Sequence, residues 1–214
     1  MGINLDRVPP HAPSDPARRF SGRVAIIGND PALGAVSDAA ADHVVRFNNA
    51  PGFGGKAGAR VTHLVLVNRG GQMREWLDDP RFLDRPALRG ARSILLPFPE
   101  LAPEDDPGPE RTCWTREARA RLGRLGVPVA VLPQALHDRA RASLRTWSPE
   151  PNPSTGFLVA FHVLSERGEG EPPVDVHGFG FAGWPGHPWA AERHWFEAAH
   201  AAGRLRLHRP GGEG

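Results

Sequence analysis

Short apolar runs, spaced along the whole chain, constrain this sequence more than any other feature. They are Arg23–Gly28, His43–Phe47, Val61–Val67, Ser93–Pro97, Val127–Leu132, Val174–Gly178 and Arg204–His208. A run of this length, bounded by turn residues, reads as a buried strand. Between the runs lie stretches with helical spacing: Pro31–Ala40, Thr115–Leu125, Pro133–Thr146, Ser154–Glu166 and Trp189–Ala202. Thr115 suits an N-cap, and Pro133 stands in a first turn, where proline is tolerated. Phe157, Leu158, Phe161 and Leu164 fall on one helical face, and Gly203 ends the last helix. Strands alternating with helices predict an α/β fold around a largely parallel sheet of about seven strands flanked by helices. In such a sheet the ligand crevice lies beyond the carboxyl ends of the strands. The residues that close each run therefore carry the functional question.

A length of 214 residues suits one domain with one core. The expected organisation is a Pro- and Arg-rich arm over 1–21, a single domain over 22–208 and a Gly-rich tail over 209–214. No apolar run approaches the ~18 residues of a membrane span, and prolines replace the apolar core of a signal peptide. The expected location is the cytoplasm, with at most peripheral attachment to the inner membrane. Cys113 is the only cysteine, so no intrachain disulfide can form. The net charge is +2, and the basic residues are nearly all arginine, with Lys56 the sole lysine. That weak balance argues against a nucleic-acid partner, and the aromatic residues do not form a stacking platform on adjacent strands. Arginine suits phosphate recognition instead. Asp78-Asp79 and Asp105-Asp106 fall in helix-end or loop contexts, where carboxylates are usually solvated, and no Asp-x-Asp pair stands at a strand end.

Four segments carry chemistry. Val24-Ala25-Ile26-Ile27 ends in Gly28-Asn29, where a glycine lets backbone approach a ligand and an asparagine offers a donor and an acceptor. Val44-Val45-Arg46-Phe47 ends in Asn48-Asn49, bringing a cation and amides to the same sheet edge. Asn152-Pro153-Ser154-Thr155-Gly156 opens a helix, whose N-terminus exposes unpaired N–H groups and the positive dipole end to an anion. His187 stands just before the last helix, in Gly186-His187-Pro188, with Glu192 about one turn into it. An imidazole there suits proton abstraction near neutral pH. Taken singly, each segment reads at least as well as plain structure: a strand-to-helix turn, an Asn/Gly loop, an N-cap or a loop histidine.

Their order and spacing together resemble the sialyltransferase family, the eukaryotic-type glycosyltransferases that use CMP-sialic acid. Val24–Val67 is similar to that family's long first motif, through Asp42-His43-Val44-Val45-Arg46-Phe47-Asn48-Asn49-Ala50-Pro51 and Gly58-Ala59-Arg60-Val61-Thr62-His63. Pro153–Gly180 resembles the second, with Pro-Ser-Thr-Gly opening a helix and Val174-Asp175-Val176-His177-Gly178-Phe179-Gly180 closing it. His187 to Glu192 matches the short last motif, His-x-x-x-x-Glu. The resemblance covers about half the chain. It implies a Rossmann-like glycosyltransferase A-type variant fold and an inverting, metal-independent transfer from a CMP-sugar to a glycan hydroxyl, with no metal and no other cofactor. Gly28, Asn29, Asn48, Ser154, Thr155, Gly156 and Gly178 would bind the donor. His187 would be the catalytic base, and Glu192 would support it or the fold.

The departures matter equally. Val24 stands where the secreted members place a cysteine, so the disulfide between their first two motifs has no counterpart. The membrane anchor is missing, which fits a cytosolic, bacterial-like member. A clear third motif, with the histidine and tyrosine that assist the departing phosphate, is also missing, and the chain has no tyrosine. Arg69 and His177 are the candidates left for that role. CMP-sialic acid and CMP-Kdo both remain open as donors, and so does a degenerate protein that binds a CMP-sugar without turning it over.

Overall fold

The computed structural model describes residues 20–105, 108 and 112–208. The tail over 209–214 and all of the arm except Phe20 and Ser21 lie outside the described residues. Seven strands form one sheet: β1 Val24–Ile27, β2 His43–Phe47, β3 His63–Val65, β4 Ser93–Leu96, β5 Val129–Val131, β6 Val174–His177 and β7 Leu205–His208. Their order is β5-β4-β3-β2-β1-β6-β7, and every neighbouring pair is parallel. The chain thus leaves β1, builds outward to β5, and returns to lay β6 on the free flank of β1.

An all-parallel sheet is stable only with its faces covered. The helices that do this are α1 Gly70–Asp78, α2 Pro86–Gly90, α3 Thr115–Leu122, α4 Gln134–Leu144, α5 Thr155–Ser165 and α6 Trp189–Ala201. On one face, Ile26, Val45, Phe47 and Val176 pack against Leu136, Phe157, Phe161, Trp195 and Phe196 of α4, α5 and α6. On the other, Leu64, Leu66, Ile94 and Leu96 meet Met73, Trp76, Leu88 and Leu122 of α1, α2 and α3. Helix α5 is apolar nearly all round and is buried accordingly. Among the described residues, no helix is long and apolar enough to cross a membrane.

Two details differ from the sequence reading. The stretch expected as a helix over Pro31–Ala40 is an irregular loop. Its apolar residues Leu33 and Val36 are buried on Ile27 and Val44 without helical geometry. Asp38 pins the loop, accepting from Arg46 Nη2 at 3.0 Å and from the Arg60 N–H at 2.9 Å. Conversely, α1 and α2 were not expected. Helix α1 opens on Gly70-Gly71, and glycine is a poor helix former. Burial of Met73 and Trp76 holds it in place.

Candidate functional site

The ends of β1 and β6 meet where the strand order reverses direction. The Gly28 N–H donates to the His177 carbonyl at 2.8 Å, and the Asp30 N–H to the Gly178 carbonyl at 3.2 Å. A Cβ on Gly28 would run into the Gly178 carbonyl, and Gly178 itself takes a left-handed φ of 66°. The glycines therefore let two strand ends close on each other. The expected reason, room for a ligand at Gly28, is secondary to that backbone contact.

Above this floor opens a cleft of about 540 Å³, within the usual range for a small-molecule site. Gly28, Asn29, Asn48, Ser154, Thr155, Gly156, Gly178, His187 and Glu192 all line it. Segments more than a hundred residues apart in sequence thus converge on one cavity. Arg69 and His177 are not among the lining residues. The Arg69 guanidinium lies over the Phe98 ring, 5.2 Å from its centroid, and Nη2 donates to the Pro99 carbonyl at 3.1 Å. His177 stacks on His208 with centroids 4.0 Å apart, and burial, reinforced by His208, pushes its pKa down to about 4. Arg46 does not reach the cleft either. It alternates to the opposite sheet face from Phe47, where it is fully buried and paired with Asp38.

The start of α5 is tied down from within. Ser154 is its N-cap, and its hydroxyl accepts from the Phe157 N–H at 3.1 Å. That hydroxyl also donates to Glu192 Oε2 at 2.7 Å, while the Ser154 N–H donates to Oε1 at 2.6 Å. Both donors of Ser154 are thereby used, and the hydroxyl has no proton left for a ligand. Glu192 is fastened to the α5 cap and makes no hydrogen bond to His187. Burial raises its pKa to about 7, against the two hydrogen bonds from Ser154 that lower it. The Thr155 and Gly156 N–H groups make no hydrogen bond among the described residues. They point the free end of the helix dipole at the cleft.

His187 is half-buried, held edge-on between Trp184 and Trp189 with centroids 4.9 and 5.1 Å away. Its Nδ1 lies 2.8 Å from the Asn152 carbonyl. A carbonyl only accepts, so Nδ1 carries a proton, and in the neutral ring Nε2 is the nitrogen with the lone pair. Across the cleft, Asn48 takes a left-handed φ of 53°, and its Oδ1 accepts from the Val67 N–H at 3.0 Å. That bond fixes the Asn48 amide with its N–H groups as the remaining contacts. Asn29 Nδ2 donates to the Phe47 carbonyl at 3.2 Å.

Asp30 and Phe181 also line the cleft without having been expected there, as do Phe47 and Trp189, which stand inside the motif segments but were given no role in the site. Asp30 directly follows Gly28-Asn29, and Trp189 follows His187-Pro188, so adjacency was the available signal. No lysine or arginine of the described residues lines the cavity. Arg193 reaches only the ring of Phe181, 5.5 Å from its centroid.

No family model matches the chain. It is 31% identical, over 89% of its length and 94% of the relative's, to the urease operon 23 kDa accessory protein of Rhizobium meliloti (strain 1021). Among solved structures it is similar to a mammalian sialyltransferase, with a TM-score of 0.53 and 16% identity, covering 88% of this chain and 69% of that one. The second likeness is one of fold.

Proposed function

The chain belongs to the family of the urease operon 23 kDa accessory protein, and from the cleft it builds we propose that it binds a CMP-activated acidic sugar and transfers that sugar with His187 as the base. The relative's name gives an operon and an accessory role but no reaction, so the chemistry is read from the cavity. The observation that carries the reading is the fixed tautomer of His187 in the same cleft as the free Thr155 and Gly156 amides.

The two amides and the dipole of α5 would take the phosphate of CMP, with the Asn48 amide facing them. A CMP-sugar carries a single negative charge on its phosphodiester. The sugar of CMP-sialic acid or CMP-Kdo adds a carboxylate, so the whole donor carries two negative charges, and the helix amides, with no basic side chain among the described lining residues beside them, would meet the phosphodiester. Nε2 of His187 would take the proton of an acceptor hydroxyl as its oxygen attacks the anomeric carbon. The bond from that carbon to the phosphate oxygen breaks, its electron pair leaves with CMP, and the configuration inverts. No step calls for a metal. CMP-sialic acid and CMP-Kdo both fit this chemistry, and a glycan hydroxyl in the cytoplasm is the acceptor class.

One observation favours a second reading. Without a basic side chain to stabilise the departing phosphate, the protein would hold a CMP-sugar and not turn it over. Thermal shift with CMP, CDP, UDP and GDP sugars tests the donor class, because a ligand that binds only the folded state raises its melting point. Selective stabilisation by cytidine monophosphate sugars is expected; no response to any cytidine nucleotide would sink both readings. Release of CMP from CMP-sialic acid or CMP-Kdo, lost in His187→Ala, supports the transferase. Binding with no release supports the degenerate protein.

A further inference from the structure

At the sheet edge, β6 and β7 carry a side-chain cluster that the cleft does not use. His177 and His208 are register partners on these parallel strands, with rings stacked 4.0 Å apart and 9° from parallel. Asp175 lies two residues before His177 and so shares its face. Its Oδ1 accepts from His208 Nε2 at 2.8 Å. One nitrogen from each imidazole and one carboxylate oxygen lie within 4.8 Å of one another. The loop over 31–42 covers β1 and β2 on this face, and leaves Asp175 and His177 partly exposed and His208 exposed.

We propose that Asp175, His177 and His208 form a binding site for one divalent transition-metal ion of the class that prefers imidazole, Zn²⁺ or Ni²⁺. Two imidazoles and one carboxylate are a common donor set for such ions. Metal–ligand bonds of roughly 2.0–2.2 Å need donor atoms closer together than the widest spacing here. Side-chain rotation closes that gap, because the backbone already places all three on neighbouring positions of one face. The His208 and Asp175 side chains are 44% and 32% exposed, which leaves an approach from solvent and room for water to complete the shell. Arg206 Nη1 lies 3.7 Å from Asp175 Oδ1 and opposes a cation, but its side chain is 59% exposed and free to swing out. The rival explanation is an edge strand guarded by polar groups, which calls for no metal.

The test uses the full chain without a polyhistidine tag, stripped with a chelator and titrated calorimetrically with Zn²⁺ and, separately, Ni²⁺, with no nucleotide present. One ion per chain is expected for wild type and for His187→Ala. Affinity should fall at least tenfold in His208→Ala and in Asp175→Asn. His208 is exposed enough that its variant keeps the fold even if a His177 variant does not, and circular dichroism checks this. Substoichiometric binding by wild type, or binding as strong in both edge variants, would overturn the site. So would loss of binding in His187→Ala alone, which would place the metal in the cleft. None of these outcomes depends on the transferase reading.

Discussion

Glu192 is 1% exposed and accepts both hydrogen bonds that Ser154 has to give. Glu192→Ala would leave the Ser154 N–H and hydroxyl without their acceptor at the base of α5, at a cost of about 2 kcal/mol or more. Equilibrium urea unfolding measures it. Glu192→Gln keeps an acceptor and removes the titration. The folded-state pKa of Glu192, about 7, lies above its ordinary 4.5, so the fold favours the protonated form. Its contribution to stability is therefore full below about pH 4.5 and is lost as pH rises through about 7. Wild type should lose stability relative to Glu192→Gln between pH 5 and pH 8. Parallel curves for the two proteins would show that the carboxyl stays ionised in the fold.

At the scale of elements, two glycines in the cleft respond differently to the same substitution. A Cβ at Gly28 meets the Gly178 carbonyl, which is backbone held by the β1–β6 pairing. Gly28→Ala should cost about 2–3 kcal/mol by overpacking, read from urea unfolding. A Cβ at Gly156 comes within 2.9 Å of Phe179 Cε1, the edge of a side-chain ring and not backbone. Alanine also improves on glycine inside a helix by up to ~1 kcal/mol. Gly156→Ala should leave stability within about 1 kcal/mol of wild type and weaken CMP binding several-fold, as measured by calorimetry, because Phe179 lines the cleft. The strands themselves were legible because doubly covered parallel strands read as unbroken apolar runs. The loop at Pro31–Ala40 was not, since Leu33 and Val36 are buried at helical spacing without a helix. The convergence of Gly28-Asn29, Ser154-Thr155-Gly156 and His187 was legible through the family resemblance that their order and spacing carry, not from any one segment. The roles of individual side chains were not. Ser154 is spent on a residue 38 positions away, and strand parity, unreadable before the register is known, turns Arg46 and His177 away from the cleft.

Across the whole molecule, the strand carboxyl ends hold the cleft and the opposite end holds a histidine cluster. His43 and His63 open β2 and β3, and His162 lies in the last turn of α5. The Phe20 ring packs on all three, with centroids 5.6, 4.8 and 5.8 Å away. Arg167 fastens this end by donating to the carbonyls of Phe20 at 2.7 Å and Gly22 at 2.9 Å. Burial pushes the pKa of His63 and of His162 down to about 4 and lowers that of His43. The fold therefore favours the neutral imidazoles, whereas the unfolded chain protonates them near pH 6.5. Their contribution is present above about pH 6.5 and is lost as pH falls towards 4, the opposite sign to Glu192. At pH 5 each deeply shifted histidine contributes a loss on the order of 2 kcal/mol. The denaturation midpoint should drop on acidification from pH 7 to pH 5, and His162→Leu should flatten that limb while leaving CMP binding at the far end of the sheet unchanged. Glu192→Gln should flatten only the neutral-to-alkaline limb. An acid limb as steep in His162→Leu as in wild type would mean that His162 charges without unfolding the base of the sheet.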